Sequence, residues 1–238
     1  MAAGASLALT AAKNCRNASG VTAAYLIALL CQGGAREALV VCDMPYMSNH
    51  ISPAETVRIA GRLMLEGRAQ AVKLEGGADF ATDIRALVRA SIPVMGHLGM
   101  TTQSVNALGG FRVQGKTPDA AQRLLDDARA VEAAGAFALT LECVLAPLAE
   151  RITQELSIPV IGIGAGAACD GQVLVWQDMA GLGERQPPRF VKRFGQVGQA
   201  LRDTVDAYAS DVRNGDFPGQ EQCYAVPDGL EEAIRQLK

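Results

Sequence analysis

The amino-acid sequence predicts an α/β fold built around a parallel β-sheet of the barrel type. Strands that are buried on both faces read as continuous runs of Val, Ile and Leu, and the connecting helices leave the carboxyl end of each strand free for polar groups. A length of 238 residues with 49% hydrophobic content suits one barrel-sized domain with a large core. Six apolar runs, each stopped by a polar residue or a glycine turn, predict the strands: ALVVCDM, AVKLEGG, PVMGHLG, LTLECV, PVIGIGAG and QVLVWQDM.

Helix signals separate the predicted strands. Ser52 and Pro53 begin a helix that runs to about Glu66, because Ser is a good N-cap and Pro fits the first helical turn. Gly33 and Gly34 end an earlier helix. The alternation of strand and helix indicates repeated βα units. In chain order, the predicted helices cover about 22–32, 52–66, 79–90, 119–134, 146–156, 190–208 and 229–237.

Two regions differ in their patterning. Residues 1–20 are rich in small residues and show no periodicity, so we predict a divergent and flexible N-terminal segment. Residues 21–238 are predicted to form the barrel domain together with a helical C-terminal tail.

Composition indicates a small-molecule ligand. The 22 basic and 25 acidic residues give a net charge of -3, which offers no basic stripe for nucleic acid. Six dispersed cysteines, without C-x-x-C or zinc-type Cys/His spacing, favour reduced thiols in the cytoplasm. The run VTAAYLIALLC is too short to span a bilayer, and no positive charge precedes the apolar part of the N-terminus, so we predict neither a membrane protein nor a secreted one.

Three polar residues on the first two strands of this series are candidates for chemistry. Asp43 ends the strand ALVVCD, where a carboxylate either ligates a metal or caps the turn. Lys73 and Glu75 are two positions apart on one strand, so their side chains leave the same face. Because buried charges are costly unless paired, the two either form a structural ion pair or hold a substrate carboxylate and a metal with its waters.

Two further candidates lie on later strands. His97 stands between glycines in GHLG, where the backbone can bend and approach a ligand; it is either a hydrogen-bonding group for a developing oxyanion or a core histidine. Glu142 is a carboxylate in the apolar strand LTLECV, where burial raises its pKa toward that of a general base, with a buried structural pair as the alternative. The GIGAG string at 162–166 either cradles an anion or forms a tight strand-to-helix turn. His50 is predicted to be solvated, and Asp178 ends the last predicted strand without an assigned role.

Five strings occur in this order along the chain: DMPYMS, VKLEGG, GHLGMTTQSVNALGGFRVQGKT, LTLECV and IPVIGIGAG. Together, from about Val21 to Phe217, they closely resemble the ketopantoate (3-methyl-2-oxobutanoate) hydroxymethyltransferase family. The resemblance implies a (βα)8 TIM-barrel-like fold of the phosphoenolpyruvate/pyruvate superfamily, in a cytoplasmic homo-oligomer. It also implies transfer of a hydroxymethyl group from 5,10-methylenetetrahydrofolate to a 2-oxoacid, 3-methyl-2-oxobutanoate, with Mg²⁺, on the route to pantothenate and coenzyme A.

By motif, the resemblance implies a role for each candidate residue. Glu142 corresponds to the general base that removes the C3 proton, and His97 to a catalytic hydrogen-bonding group. Lys73 corresponds to a contact of the substrate carboxylate. Asp43 corresponds to a magnesium ligand beside the substrate, and Glu75 to the inner or outer shell of the metal. Residues that contact the folate are not indicated.

The sequence departs from the family pattern near its start. The family opens with a T-A-Y-D strand and a V-G-D-S strand that carries a second magnesium aspartate, and neither string occurs here. We therefore expect a barrel that lacks the first two strands of the family, so that it has the six strands predicted from the apolar runs and exposed sheet edges. The alternative function is that of a catalytically impaired homologue that binds a 2-oxoacid or serves only as an assembly subunit. A lyase of the isocitrate type is disfavoured, because no K-K-C-G-H string is present.

Overall fold

The protein is described from a computed structural model that covers residues 9–10, 38–184 and 186–237. The predicted helix at 22–32 and all of the predicted N-terminal segment except residues 9–10 lie outside the described residues. The chain divides into two compact units, Met1–Val175 and Trp176–Lys238.

The first unit is built on a parallel sheet in which each strand pairs with the next one along the chain. This order, with a helix after each of the second to fifth strands, is the arrangement of a (βα) barrel, and it confirms the predicted fold class. Within the described residues the sheet has seven strands: β1 Leu9–Thr10, β2 Val41–Asp43, β3 Ala71–Glu75, β4 Val94–Gly99, β5 Ala138–Glu142, β6 Val160–Ile163 and β7 Gly171–Gln172.

Four helices follow strands β2 to β5, as the sequence predicts. Two of them begin at a hydroxyl cap. The hydroxyl of Ser52, the predicted cap, accepts a hydrogen bond from the backbone N–H of Glu55 at 3.2 Å, and that of Thr117 accepts one from the backbone N–H of Ala120 at 3.2 Å. Each cap is followed by a proline in the first turn. The helices are α1 Pro53–Leu65, α2 Ala81–Arg89, α3 Pro118–Ala133 and α4 Ala146–Glu155, and short 3₁₀ turns cover Ala78–Phe80 and Thr102–Ser104.

The two faces of the sheet carry different side chains, because successive residues of a strand alternate between faces. One face, here called the outer face, packs against the helices through large aliphatic side chains that include Val72, Leu74, Leu139 and Leu141. The opposite face, here called the inner face, carries a smaller apolar cluster, the apolar floor, formed by Val41, Ala71, Met95 and Ala138.

The second unit is helical. It contains α5 Trp176–Met179, α6 Val197–Asn214 and α7 Leu230–Arg235, with a 3₁₀ turn at Gln220–Gln222. Helix α6 ends at Gly215, whose φ of 79° supplies the left-handed conformation common just beyond a helix C-terminus. Among the described residues, no helix combines the length and the apolar character needed to cross a lipid bilayer.

Two predicted elements are corrected by the structure. The run QVLVWQDM is not one strand: only Gly171–Gln172 pair with β6, and the last four residues form helix α5, since a short apolar run fits either element. The helix predicted at 190–208 begins later, at Val197, and continues to Asn214, and residues 190–196 are irregular. Strand β1 lies in a segment for which the sequence predicts no regular element.

Candidate active site

The polar residues identified from the sequence share the inner face of the sheet. They lie beyond the apolar floor, toward the carboxyl ends of the strands, as the period of two in a strand requires. Strand pairing sets Asp43 beside Lys73 and Glu75 beside His97. Except for the partly exposed Asp43, the inner-face polar side chains are buried: Lys73, Glu75, His97, Thr140 and Glu142.

Lys73 is a buried cation held among carboxylates. Its ammonium forms an ion pair with Asp43 and lies 3.2 Å from Nδ1 of His97. Burial disfavours the charged lysine, but the charges of Asp43, Glu75 and Glu142 outweigh that effect and raise its pKa above the ordinary value. Lys73 therefore carries a positive charge at any physiological pH.

Glu75 is held in its ionised form. Its Oε1 accepts a hydrogen bond from the hydroxyl of Thr102 at 3.0 Å, and its Oε2 accepts one from the backbone N–H of Gln103 at 2.8 Å. Burial alone would raise the pKa of Glu75. His97, the charge of Lys73 and the N–H of Gln103 outweigh burial and lower this pKa to about 2.

His97 bridges two glutamates. Its Nδ1 lies 3.6 Å from Oε1 of Glu75, and its Nε2 lies 3.4 Å from Oε2 of Glu142. A neutral ring can accept a hydrogen bond at Nδ1 from the Lys73 ammonium, which is a donor only, while its Nε2–H faces Glu142. A protonated ring instead directs one N–H toward each glutamate. The imidazole therefore lies within reach of one cation and two carboxylates.

Glu142 is the last residue of β5, and the position of its backbone depends on the close approach of the end of β4. Its backbone oxygen accepts a hydrogen bond from the N–H of Met100 at 2.8 Å. Gly99 pairs with it across the strands at a φ of 94°, and a Cβ at Gly99 would lie 2.2 Å from that same oxygen. Only glycine fits there. The residue after Glu142, Cys143, also has a positive φ of 52°, so the chain turns sharply beyond the carboxylate.

The other glycine next to His97 serves helix packing. A Cβ at Gly96 would lie 2.4 Å from Cγ1 of Val131 on α3. Gly96 and Gly99 thus each allow a close contact inside the protein, one to α3 and one to Glu142, and the approach of this backbone to a ligand stays a prediction.

The donor set of the site is compatible with Mg²⁺. Asp43 and Glu75 offer carboxylate oxygens, the ligands that this hard cation prefers. In the part of the chain that the structure describes, no three His, Cys, Asp or Glu side chains converge to enclose a metal. Mg²⁺ does not require an enclosing cage, because it is commonly held by one or two carboxylates and completes its shell with water and substrate oxygens.

Comparison with known proteins decides the family. A family model described as ketopantoate hydroxymethyltransferase matches residues 4–220. The chain belongs to the ketopantoate hydroxymethyltransferase family.

Named relatives agree with this assignment. The chain is 53% identical over 197 residues to a 3-methyl-2-oxobutanoate hydroxymethyltransferase of Clostridium novyi (strain NT), covering 83% of this chain and 72% of that protein. It is 52% identical over 201 residues to the enzyme of that name from Enterococcus faecalis (strain ATCC 700802 / V583), covering 84% and 73%. All five candidate residues of this ketopantoate hydroxymethyltransferase homologue lie within the matched range.

Three other sequence features have structural explanations. His50 is exposed, and its ring contacts those of Tyr46 and Phe80, with centroids 5.9 and 5.1 Å away. The GIGAG glycines pack against protein atoms: a Cβ at Gly166 would lie 2.6 Å from the Cβ of Ala146, and no helix follows at 167–175. The string therefore forms a turn that packs inside the protein, but the predicted strand-to-helix turn is wrong, because no helix follows it. Asp178, expected at a strand end, lies in helix α5.

Sequence reasoning missed the 3₁₀ turn Thr102–Ser104, which supplies two donors to Glu75. The available signal was the polar string TTQS directly after strand β4, since loops at the carboxyl ends of barrel strands carry functional residues.

Proposed function

We propose that this protein is a 3-methyl-2-oxobutanoate hydroxymethyltransferase. In this proposal it transfers a hydroxymethyl group from 5,10-methylenetetrahydrofolate to 3-methyl-2-oxobutanoate and forms 2-dehydropantoate, in the cytoplasm, on the route to pantothenate and coenzyme A. The observation that carries the proposal is the contact chain from Asp43 through Lys73 and His97 to Glu142 on one face of the sheet. It combines a cation for an anionic substrate with a carboxylate that can serve as a base.

Lys73 binds the substrate carboxylate. An ammonium has three protons to donate. Two of these protons are donated in hydrogen bonds to Asp43 and to Nδ1 of His97, which leaves the third for a hydrogen bond to an oxygen of the oxoacid. Because Lys73 stays charged, it also lowers the energy of negative charge that develops nearby during reaction.

Glu142 removes the proton from C3 of the oxoacid. The carbonyl at C2 delocalises the electron pair that this leaves, and His97 beside Glu142 offers an N–H to the charge. Asp43 and Glu75 would hold Mg²⁺, which when bound supplies electrophilic stabilisation of negative charge on the keto oxygen.

The overall transfer balances with one water. C3 of the oxoacid forms a bond to the methylene carbon, and that carbon loses both of its bonds to folate nitrogens. A water molecule gives its oxygen and one hydrogen to the new hydroxymethyl group. The proton from C3 and the second water proton are left on the two folate nitrogens, so that no oxidant or reductant is needed.

Deuterium exchange tests the proton transfer without the folate. The protein is incubated with 3-methyl-2-oxobutanoate and Mg²⁺ in D₂O, and loss of the C3 proton is followed by NMR. We expect exchange well above background in the wild type and none above background in Glu142→Gln. The matched control is Glu150→Gln, which changes an exposed glutamate on the helix that follows β5 and should exchange like the wild type.

The outcome separates the two functions. Background exchange in folded wild-type protein would contradict the proposal and favour a catalytically impaired homologue that binds the oxoacid or serves only as an assembly subunit. Exchange that persists in Glu142→Gln would reassign the base.

We also propose that the protein forms a homo-oligomer. Helix α6 supports this proposal, because it carries exposed apolar side chains at helical spacing: Val197, Leu201, Val205, Tyr208 and Val212. Light scattering after size exclusion should then give a mass that is a multiple of 24.9 kDa, and a monomeric mass would contradict it.

A further inference from the structure

The 3₁₀ turn Thr102–Ser104 connects the ends of two site strands. Directly after β4, its first two residues donate to both carboxylate oxygens of Glu75 on β3. The side chain of Gln103 then reaches the loop after β2, where its Nε2 donates to the backbone oxygen of Met44 at 2.7 Å. Met44 is the residue that follows Asp43. One residue thus contacts both of the carboxylate-bearing segments that would hold the metal.

The contact with Met44 also fixes the orientation of the Gln103 amide. A backbone carbonyl only accepts hydrogen bonds, so the NH₂ group must face it and the amide oxygen must face the other way. That oxygen, Oε1, is buried and has no hydrogen-bond partner within the described residues. A buried acceptor without a partner is costly, so an occupant of the site that carries a hydrogen-bond donor would satisfy it.

We infer that Gln103 is a positioning residue of the metal site. Its backbone N–H orients Glu75, its side-chain amide fixes the backbone next to Asp43, and its side-chain oxygen accepts a hydrogen bond from a water on the bound ion. This inference rests on the proposed function, in which Asp43 and Glu75 would hold Mg²⁺. Residues around a metal site that orient its ligands or accept from its waters commonly change affinity by about 10 to 100-fold when they are replaced.

The geometry distinguishes this role from that of an ordinary loop contact. A residue that only tied down the loop would need its bond to Met44, and its loss would change stability. Gln103 additionally donates to an ionised carboxylate and presents a buried acceptor without a partner in the described part of the chain. These two features predict an effect on ion binding in addition to the change in stability that loss of the Met44 bond causes.

The experiment measures metal affinity directly. Gln103→Met keeps the length of the side chain and the backbone N–H but removes the amide donor and the acceptor. Mg²⁺ is titrated calorimetrically into the full-length protein in the presence of 3-methyl-2-oxobutanoate, and Mn²⁺ binding is followed in parallel by electron paramagnetic resonance. We expect both dissociation constants to rise about 10-fold or more.

A matched control is available in the same loop. The Nε2 of Gln114 also donates to a backbone oxygen, that of Arg112, at 2.8 Å, but its side chain does not contact Glu75 or the Met44 carbonyl in the structure. Gln114→Met should therefore bind both ions like the wild type. Equal affinities in Gln103→Met and Gln114→Met would overturn the inference.

A second variant decides the case if Gln103→Met does not fold. Gln103→Leu removes the same amide donor and acceptor with a shorter apolar side chain and keeps the backbone N–H that donates to Glu75. We expect a loss of Mn²⁺ affinity of about 10-fold, and wild-type affinity in this variant would overturn the inference. The proposed function is tested by a different measurement, the exchange of the C3 proton in the wild type. Absence of that exchange would contradict the proposed function, whatever metal affinities the variants have.

Discussion

Asp43 and Lys73 occupy directly paired positions on neighbouring parallel strands, and their side chains form an ion pair on the inner face of the sheet. The pairing register thus places an anion beside the cation with no loop between them. Because Asp43 is the largest favourable influence on the charge of Lys73, the same carboxylate serves the buried lysine and the proposed metal.

Asp43→Asn should remove nearly all Mg²⁺ affinity. The neutral amide keeps the shape of the side chain but loses the charge that a hard cation needs. Titration calorimetry with the oxoacid present measures the loss. The control is Asp83→Asn, because Asp83 is also buried but accepts a hydrogen bond from Thr56 between helices α1 and α2 at 2.7 Å. Wild-type affinity in Asp43→Asn would refute its role as a ligand.

Gly99→Ala should reduce the rate of C3 exchange by about 10-fold or more, because a Cβ there collides with the backbone oxygen of Glu142 and moves the base. Gly110→Ala is the matched control. Gly110 also has a positive φ, 107°, but an added Cβ would meet no atom within 4 Å. An alanine is strained at both positions because of the positive φ. A difference between the exchange rates of the two variants therefore reports the displacement of Glu142. Equal rates would show that the approach of β4 does not position the base.

Stability should fall in acid as Glu75 becomes protonated. Its pKa in the folded protein is about 2, below the ordinary value of 4.5, so the unfolded chain binds the proton first. The stabilisation is complete above about pH 4.5 and is lost as the pH falls through about 2, with a total of about 3 kcal/mol. Chemical denaturation measured from pH 6 to pH 2 should therefore give a shallower decline in Glu75→Gln than in the wild type. An equal decline of stability in the variant and in the wild type would contradict the low pKa of Glu75.

Gly96→Ala should destabilise the fold by about 1–3 kcal/mol, since the new methyl group would overlap Cγ1 of Val131. The overlap disappears when Val131 is shortened. In a double-mutant cycle the cost of Gly96→Ala should therefore be smaller in a Val131→Ala background, with a coupling of at least about 0.5 kcal/mol. Additive costs would show that β4 and α3 adjust independently.

The strands that carry the site could be predicted because each is a short apolar run interrupted by charge. Glu142 in LTLECV and the Lys73/Glu75 pair stand out, since a charged side chain in an otherwise buried strand needs a partner. The start of the helix after Ser52 could also be predicted, because a serine suited to an N-cap is followed there by a proline.

The contacts between segments could not be predicted, because they depend on register and loop conformation. Gln103 and Met44 are 59 positions apart, and nothing local indicates that their groups meet. The same limit explains QVLVWQDM, whose apolar character fits a strand and a helix equally until its neighbours are known.

The apolar floor below the charged layer determines how a substrate reaches the site. Val41, Ala71, Met95 and Ala138 are almost completely buried, and each precedes by two positions on its own strand a polar residue of the site: Asp43, Lys73, His97 and Thr140. A ligand that enters from the loops after these strands therefore meets the charged side chains before the apolar ones. The apolar neighbours screen the charges less than water would, which strengthens the attraction of the site for an anionic ligand.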